Sequence, residues 1–156
     1  MLNLILSSLL VMNMGFSSLP NVPSQQDVDL LAKVAFLEAR GVPSVTERAC
    51  VMWTMLNRVD AGYGSLHHVV TAPNQFAYNP NVYPVNSHGF DFRWLARDVL
   101  IRYELEKLGF TGMTRVLPKD FLWFNGYKGH NRFRNVFDCN STSYRWDYSL
   151  QSPYES

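Results

Sequence analysis

Glu38 is the carboxylate in this sequence whose setting best suits acid–base chemistry. It falls in the last turn of a predicted helix and follows the apolar run 34–37. Apolar surroundings disfavour the ionised form of a carboxyl group. A carboxylic acid that stays protonated near neutral pH can protonate the leaving oxygen of a glycosidic bond. The structural alternative is an exposed helical glutamate, or one that pairs with Arg40 or with Arg58 of the next helix.

A glycosidase also needs a group that stabilises the positive charge developing on the sugar. Hydrolases commonly use a second carboxylate, for which the sequence offers Glu47, Asp60 and Asp91. Glu47 is explained as a helix-capping residue, and Asp60 as a helix-end or turn residue. A different route uses one glutamate as acid and then as base, while a hydroxyl of the sugar attacks the anomeric carbon. That route needs no second protein carboxylate.

Other catalytic chemistries find little support. The adjacent histidines His67 and His68 point apart on a helix or a strand, so they cannot supply two metal ligands from one face. Neither a zinc-ligand spacing nor a GxSxG motif occurs. Cys50 falls on a predicted buried stripe, and together with Cys139 it allows one disulfide at most. We therefore expect neither a metal nor a cofactor.

The segment 115–134 combines five cationic side chains and one acidic side chain with interleaved aromatic residues. Such a surface suits stacked bases or sugar rings. The alternative is a β-hairpin that buries Phe121, Phe124 and Phe133, with Trp123 and Tyr127 on its surface. The whole chain has 14 Lys and Arg against 13 Asp and Glu, a net charge of +1, which argues against a general nucleic-acid-binding protein.

The elements that must position these groups are mostly helices. Capping pairs that begin at Ser24 and Ser44 predict helices over 25–40 and 45–59, packed as a hairpin. A third helix is predicted over 91–108, ended by a glycine. The region 61–90 between them is long and irregular, with one short helical turn at Leu66–Thr71. Loops of this length in a compact domain are usually functional.

The C-terminal part predicts short β-like runs over 115–117, 121–124 and 132–137, broken by Gly126 and Gly129. The fold class is therefore α+β and mainly helical, in a single domain. No charged residue precedes Asp27, and residues 1–26 have the character of a signal peptide or an N-terminal hydrophobic segment. An N-terminal helix packed on the domain is the alternative. The catalytic domain is expected over 27–156.

Three short motifs occur one after another along the chain, and their order is informative about the family. They are Glu38-Ala39-Arg40-Gly41 at the end of the first helix, Leu56-Asn57-Arg58-Val59 at the end of the second, and Gln75-Phe76 in the loop. This order resembles the cell wall hydrolase family of spore-cortex-lytic enzymes (SleB type). The aromatic run 121–124, with Gly129-His130 and Phe133 after it, resembles the C-terminal part of that family.

The resemblance implies a lysozyme-like fold that acts on peptidoglycan. It implies a lytic transglycosylase that cuts between N-acetylmuramic acid and N-acetylglucosamine and leaves a 1,6-anhydro end, with Glu38 as catalytic acid and base. The expected substrate contacts are Gln75, Phe76, Tyr78, Trp123, Asn125 and His130. We expect Asn57 to be structural, with the orientation of a water molecule or of Glu38 as its alternative role. We expect Arg40 and Arg58 to hold the helical hairpin electrostatically.

Two other functions stay open: a muramidase that hydrolyses with water, and a non-catalytic module that binds peptidoglycan. The expected partners are peptidoglycan glycan strands and not nucleic acid, with transient membrane association through residues 1–26, and we expect a monomer. The location follows from the substrate: secreted or in the cell envelope, or made in the cytoplasm before host lysis if the protein is viral.

Overall fold

The computed structural model describes residues 21–110, 115–137 and 152–155. Within these ranges the chain forms four helices and one small sheet, which confirms a mixed, mainly helical α+β class. The elements are α1 (Gln25–Ala39), α2 (Val45–Asp60), α3 (Leu66–Thr71), α4 (Phe92–Lys107), β1 (Trp123–Tyr127) and β2 (His130–Arg134). Residues 1–20 of the predicted N-terminal segment and Cys139 lie outside the described residues.

The helices begin where their capping residues predict. The Ser24 hydroxyl accepts a hydrogen bond from the backbone N–H of Asp27 at 3.0 Å. The Ser44 hydroxyl accepts one from the N–H of Glu47 at 3.2 Å. Each bond satisfies an N–H group that has no partner within its own helix. Helix α4 ends before Gly109, whose φ of 89° suits a residue without a Cβ.

Helix α2 is the centre of the core. Every residue from 46 to 58 is buried, so this helix is surrounded on all sides instead of showing one apolar stripe. Helices α1 and α4 pack on each other and on α2. Within the described ranges, no helix combines the length and the apolar character that crossing a lipid bilayer requires.

The two strands form an antiparallel hairpin in which Phe124 pairs with Phe133. Its turn consists of Lys128 and Gly129, with φ of 49° and 78°, as a two-residue turn of a twisted hairpin requires. The predicted break at Gly126 is wrong, because Gly126 lies inside β1 and pairs with Asn131. The first strand therefore covers 123–127 instead of 121–124, and the second 130–134 instead of 132–137.

The segment 115–117 is not a strand. Arg115 is held instead by carboxylates, at 3.0 Å from Asp60 and 2.9 Å from Glu106, and it donates to the side-chain oxygen of Asn57. Asn57 in turn donates to the backbone carbonyls of Pro118 and Phe121. Asn57 thus has the structural role that was expected, because it fixes the approach to the hairpin.

Candidate functional site

Glu38 lies near the C-terminal end of α1, where its side chain is half-buried. Its Oε1 accepts a hydrogen bond from the backbone N–H of Ala77 at 2.5 Å. Among the described residues no donor contacts Oε2, and no cation lies within ion-pair distance of the carboxylate. The carboxyl group is therefore held by one oxygen while the other stays available.

The carboxyl group faces a cleft of about 230 Å³. Three parts of the chain meet there: the ends of α1 and α2, the loop that follows α3, and the β-hairpin. The lining residues are Glu38, Arg58, Gln75, Phe76, Phe124, Asn125, Gly126 and Asn131. Among these described residues Glu38 is the one carboxylate. The apolar setting expected from the run 34–37 is found only in part: those four side chains lie in the core or pack against it, and the cleft around Glu38 is lined by two phenyl rings together with amide and guanidinium groups.

Three of the predicted substrate contacts line this cleft: Gln75, Phe76 and Asn125. The rings of Phe76 and Phe124 lie 6.0 Å apart, so the loop and the hairpin meet through an aromatic contact. Gln75 and Asn125 are exposed residues, so their amide side chains can reach a ligand in the cleft. Phe124 lines the cleft as well, and its half-buried ring also packs against the core, 5.9 Å from the ring of Phe133.

The other three predicted contacts, Tyr78, Trp123 and His130, do not line the cleft. Trp123 lies next to the cleft-lining Phe124 in sequence. It packs instead against Phe137, with ring centroids 5.8 Å apart. Tyr78 is 38% exposed on the loop. A role of these three residues in binding a substrate stays a prediction.

Arg58 is a buried member of the site, with 6% of its surface exposed. Its Nε donates to the carbonyl of Leu122 at 2.7 Å and its Nη1 to the side-chain oxygen of Gln75 at 2.8 Å. Its guanidinium carbon lies 4.6 Å from the centre of the Phe76 ring. Burial lowers the pKa of Arg58 from its ordinary value. Among the described residues its contacts are to neutral groups, so the electrostatic role that was expected for Arg58 in the helical hairpin is wrong.

Arg40 is exposed, and its guanidinium lies over the Phe36 ring at 5.6 Å. Among the described residues it forms no ion pair, so the electrostatic role that was expected for it in the helical hairpin is also wrong. The two arginines of the motifs thus differ: one sits on the surface, and the other is enclosed between the cleft walls.

Glu47 is nearly inaccessible, with 1% of its surface exposed. One carboxylate oxygen accepts the backbone N–H of Asn131 at 3.0 Å, and the other lies 2.9 Å from Nδ1 of His130. The interpretation of Glu47 as a capping residue is therefore incomplete: its N–H takes part in the cap, but its carboxylate binds the hairpin 83 residues away. Sequence spacing carries no signal for a contact at that separation.

The other two acidic candidates also have partners. Asp60 accepts the hydroxyl of Tyr103 at 2.6 Å and a nitrogen of Arg115 at 3.0 Å. Asp91 caps α4 and forms an ion pair with Arg93 at 2.7 Å. The hydrogen bond from Arg93 lowers the pKa of Asp91. Neither carboxylate lines the cleft.

Comparison of the chain with known protein families, with curated proteins and with solved structures finds no match. The function is therefore inferred from the chemistry of the cleft. What the cleft offers is one carboxyl group with a free oxygen, set among exposed amides, aromatic rings and a buried guanidinium.

Proposed function

We propose that the protein is a peptidoglycan-degrading glycosidase that acts as a lytic transglycosylase between N-acetylmuramic acid and N-acetylglucosamine. The observation that carries the proposal is the position of Glu38 as the one carboxylate among the described residues that line the cleft. A lysozyme-like fold belongs to the same proposal, as does action outside the cytoplasmic membrane, where peptidoglycan lies.

In the proposed reaction Glu38 first acts as a general acid. Its Oε1 is held by the N–H of Ala77, so Oε2 is the oxygen that carries the proton to the glycosidic oxygen. The bond between that oxygen and the anomeric carbon of the muramic sugar then breaks, and positive charge develops on the ring.

In the second step the same oxygen acts as a general base. The C6 hydroxyl of the muramic sugar attacks its own anomeric carbon, and its proton passes to Glu38. A C1–O6 bond replaces the glycosidic bond, the carboxyl group regains its proton, and no water is consumed. The reaction uses neither a metal nor a cofactor.

The walls of the cleft suit a glycan. The Phe76 and Phe124 rings offer apolar faces for sugar rings, and the exposed amides of Gln75 and Asn125 can both donate and accept hydrogen bonds with hydroxyl and N-acetyl groups. A strand of peptidoglycan carries all of these groups at every residue.

The test is Glu38→Gln assayed on purified peptidoglycan, with Asp29→Asn on the same helix as the matched acid-to-amide control. Loss of an essential general acid lowers the rate by about 100-fold or more, and the control retains the rate of the unaltered protein. If folded Glu38→Gln loses only a few-fold in rate, Glu38 is not the catalytic acid and the assignment is rejected.

Mass spectrometry of the released fragments separates the remaining alternatives. Anhydro ends support the transglycosylase, whereas reducing ends about 18 Da heavier indicate a muramidase that uses water. Sedimentation with peptidoglycan, with no release of fragments and no effect of Glu38→Gln, indicates a non-catalytic binding module.

A further inference from the structure

The guanidinium of Arg58 is buried without an acidic partner. Two of its nitrogens donate to neutral oxygens, those of Leu122 and Gln75. Among the described residues the third nitrogen, Nη2, has no hydrogen-bond acceptor, and no carboxylate lies within 4.0 Å of the group. A charged side chain is rarely this buried unless it is paired, because removing a charge from water is costly.

The protein compensates this burial only in part. Arg58 lies in the last turn of α2, where the helix dipole favours a cation, and the Phe76 ring at 4.6 Å adds a cation–π contact. Both contributions are smaller than the stabilisation that a carboxylate gives a buried guanidinium. The site is therefore electrostatically incomplete.

The position of Arg58 shows from where an anionic group of a ligand can reach the guanidinium. A second cleft of about 250 Å³ adjoins the first, and its walls include Tyr63, His68 and Pro73. Arg58 and Gln75 line both clefts. A ligand that occupies the Glu38 cleft and extends past Gln75 would therefore meet the guanidinium from either side.

We propose that Arg58 is the binding site for a carboxylate of the substrate, one subsite away from the bond that Glu38 cleaves. This inference rests on the proposed function. In peptidoglycan the carboxylate can belong to the lactyl group of a muramic sugar without a peptide, or to the peptide stem of a substituted one. A guanidinium suits either source, because its planar array of N–H groups matches a carboxylate in a two-point contact.

The test compares ligands that differ only in charge. The full chain carrying Glu38→Gln binds soluble glycan without cleaving it, and binding is measured by calorimetry. One pair of probes is peptide-free glycan oligomers with free lactyl carboxylates and the same oligomers converted to methylamides. The second pair is peptide-bearing fragments before and after the same conversion.

We expect neutralisation to weaken binding by about tenfold or more in one pair, and the pair that responds identifies the source of the carboxylate. Adding Arg58→Gln abolishes this difference between acidic and neutral probes, and Arg58→Lys restores part of it. Arg40→Gln, which alters the exposed motif arginine, leaves the difference intact. If circular dichroism shows that Arg58→Gln does not fold, Arg58→Lys serves as the test variant, and a smaller difference between acidic and neutral probes is then the expected result.

Equal binding of acidic and neutral probes by the chain with Arg58 overturns this inference and leaves the proposed glycosidase standing. A charge preference that persists in Arg58→Gln, or undiminished in Arg58→Lys, also overturns it, because another group must then hold the carboxylate. Failure to bind any of the four probes overturns both proposals.

Discussion

The buried carboxylate of Glu47 should hold the β-hairpin against α2, and Glu47→Ala measures how strongly. The N–H of Asn131, which is 4% exposed, loses a charged acceptor, at a cost of about 1.5–3 kcal/mol. The contact to His130 adds at most about 1 kcal/mol, because that side chain is 55% exposed and solvent screens the interaction. The expected loss in the free energy of unfolding is therefore about 1.5–4 kcal/mol.

For a chain of this size each kcal/mol corresponds to about 3 °C in the unfolding midpoint, so Glu47→Ala should lower the midpoint by about 4.5–12 °C. The control is Glu104→Ala, which removes a solvent-accessible carboxylate from a pair with Lys107 and should cost less than about 1 kcal/mol. Thermal melts followed by circular dichroism compare the two. Equal midpoints for the two variants would refute the view that the carboxylate of Glu47 fixes the hairpin.

Two further predictions concern titratable groups in the core. Burial raises the pKa of Tyr103 and of Tyr154 above the ordinary tyrosine value. Above about pH 10 the unfolded chain therefore releases these protons first, and the free energy of unfolding falls with rising pH. Urea melts between pH 8 and 11 check this, and Tyr103→Phe should make the free energy of unfolding depend less on pH. Burial also raises the pKa of the Cys50 thiol. In a Cys139→Ser chain a disulfide reagent should therefore react with Cys50 only after unfolding. Rapid reaction of the folded chain would contradict the burial of Cys50.

Helix positions were predictable because their signals are local. The hydroxyls of Ser24 and Ser44 act within three residues of themselves, and the left-handed Gly109 ends α4 by its own conformation. The hairpin shows the limit of such signals. Gly126 and Gly129 look alike in sequence, yet one pairs within a strand and the other turns the chain, and only the cross-strand register distinguishes them.

The residues of the candidate site likewise divide into those with a local sequence signal and those whose contacts are distant along the chain. Glu38, Gln75 and Phe76 were predicted from short motifs, and the structure brings them together in one cleft. The roles of Glu47 and Arg58 were not predicted, because their partners are the backbone of a hairpin and the carbonyl of Leu122, far along the chain. Backbone groups are the same at every position, so no residue type marks them as partners.

The arrangement of the carboxylates bears on the outcome of the proposed reaction. Hydrolysis with two carboxylates requires both groups to face the same sugar, about 5–5.5 Å apart for retention or about 6.5–9.5 Å for inversion. Glu47 is enclosed behind the hairpin, Asp60 is bound by Tyr103 and Arg115, and Asp91 caps a helix.

None of these three groups lines the cleft beside Glu38. Within the described residues, a water molecule at the anomeric carbon would thus have only Glu38 to activate it. The same carboxylate must first have protonated the leaving oxygen. The C6 hydroxyl does not have to be bound from solvent, because it belongs to the same sugar residue as the anomeric carbon that it attacks. Anhydro ends are therefore the expected product of the proposed reaction, and reducing ends would indicate that Glu38, after protonating the leaving oxygen, activates a water molecule instead of the C6 hydroxyl.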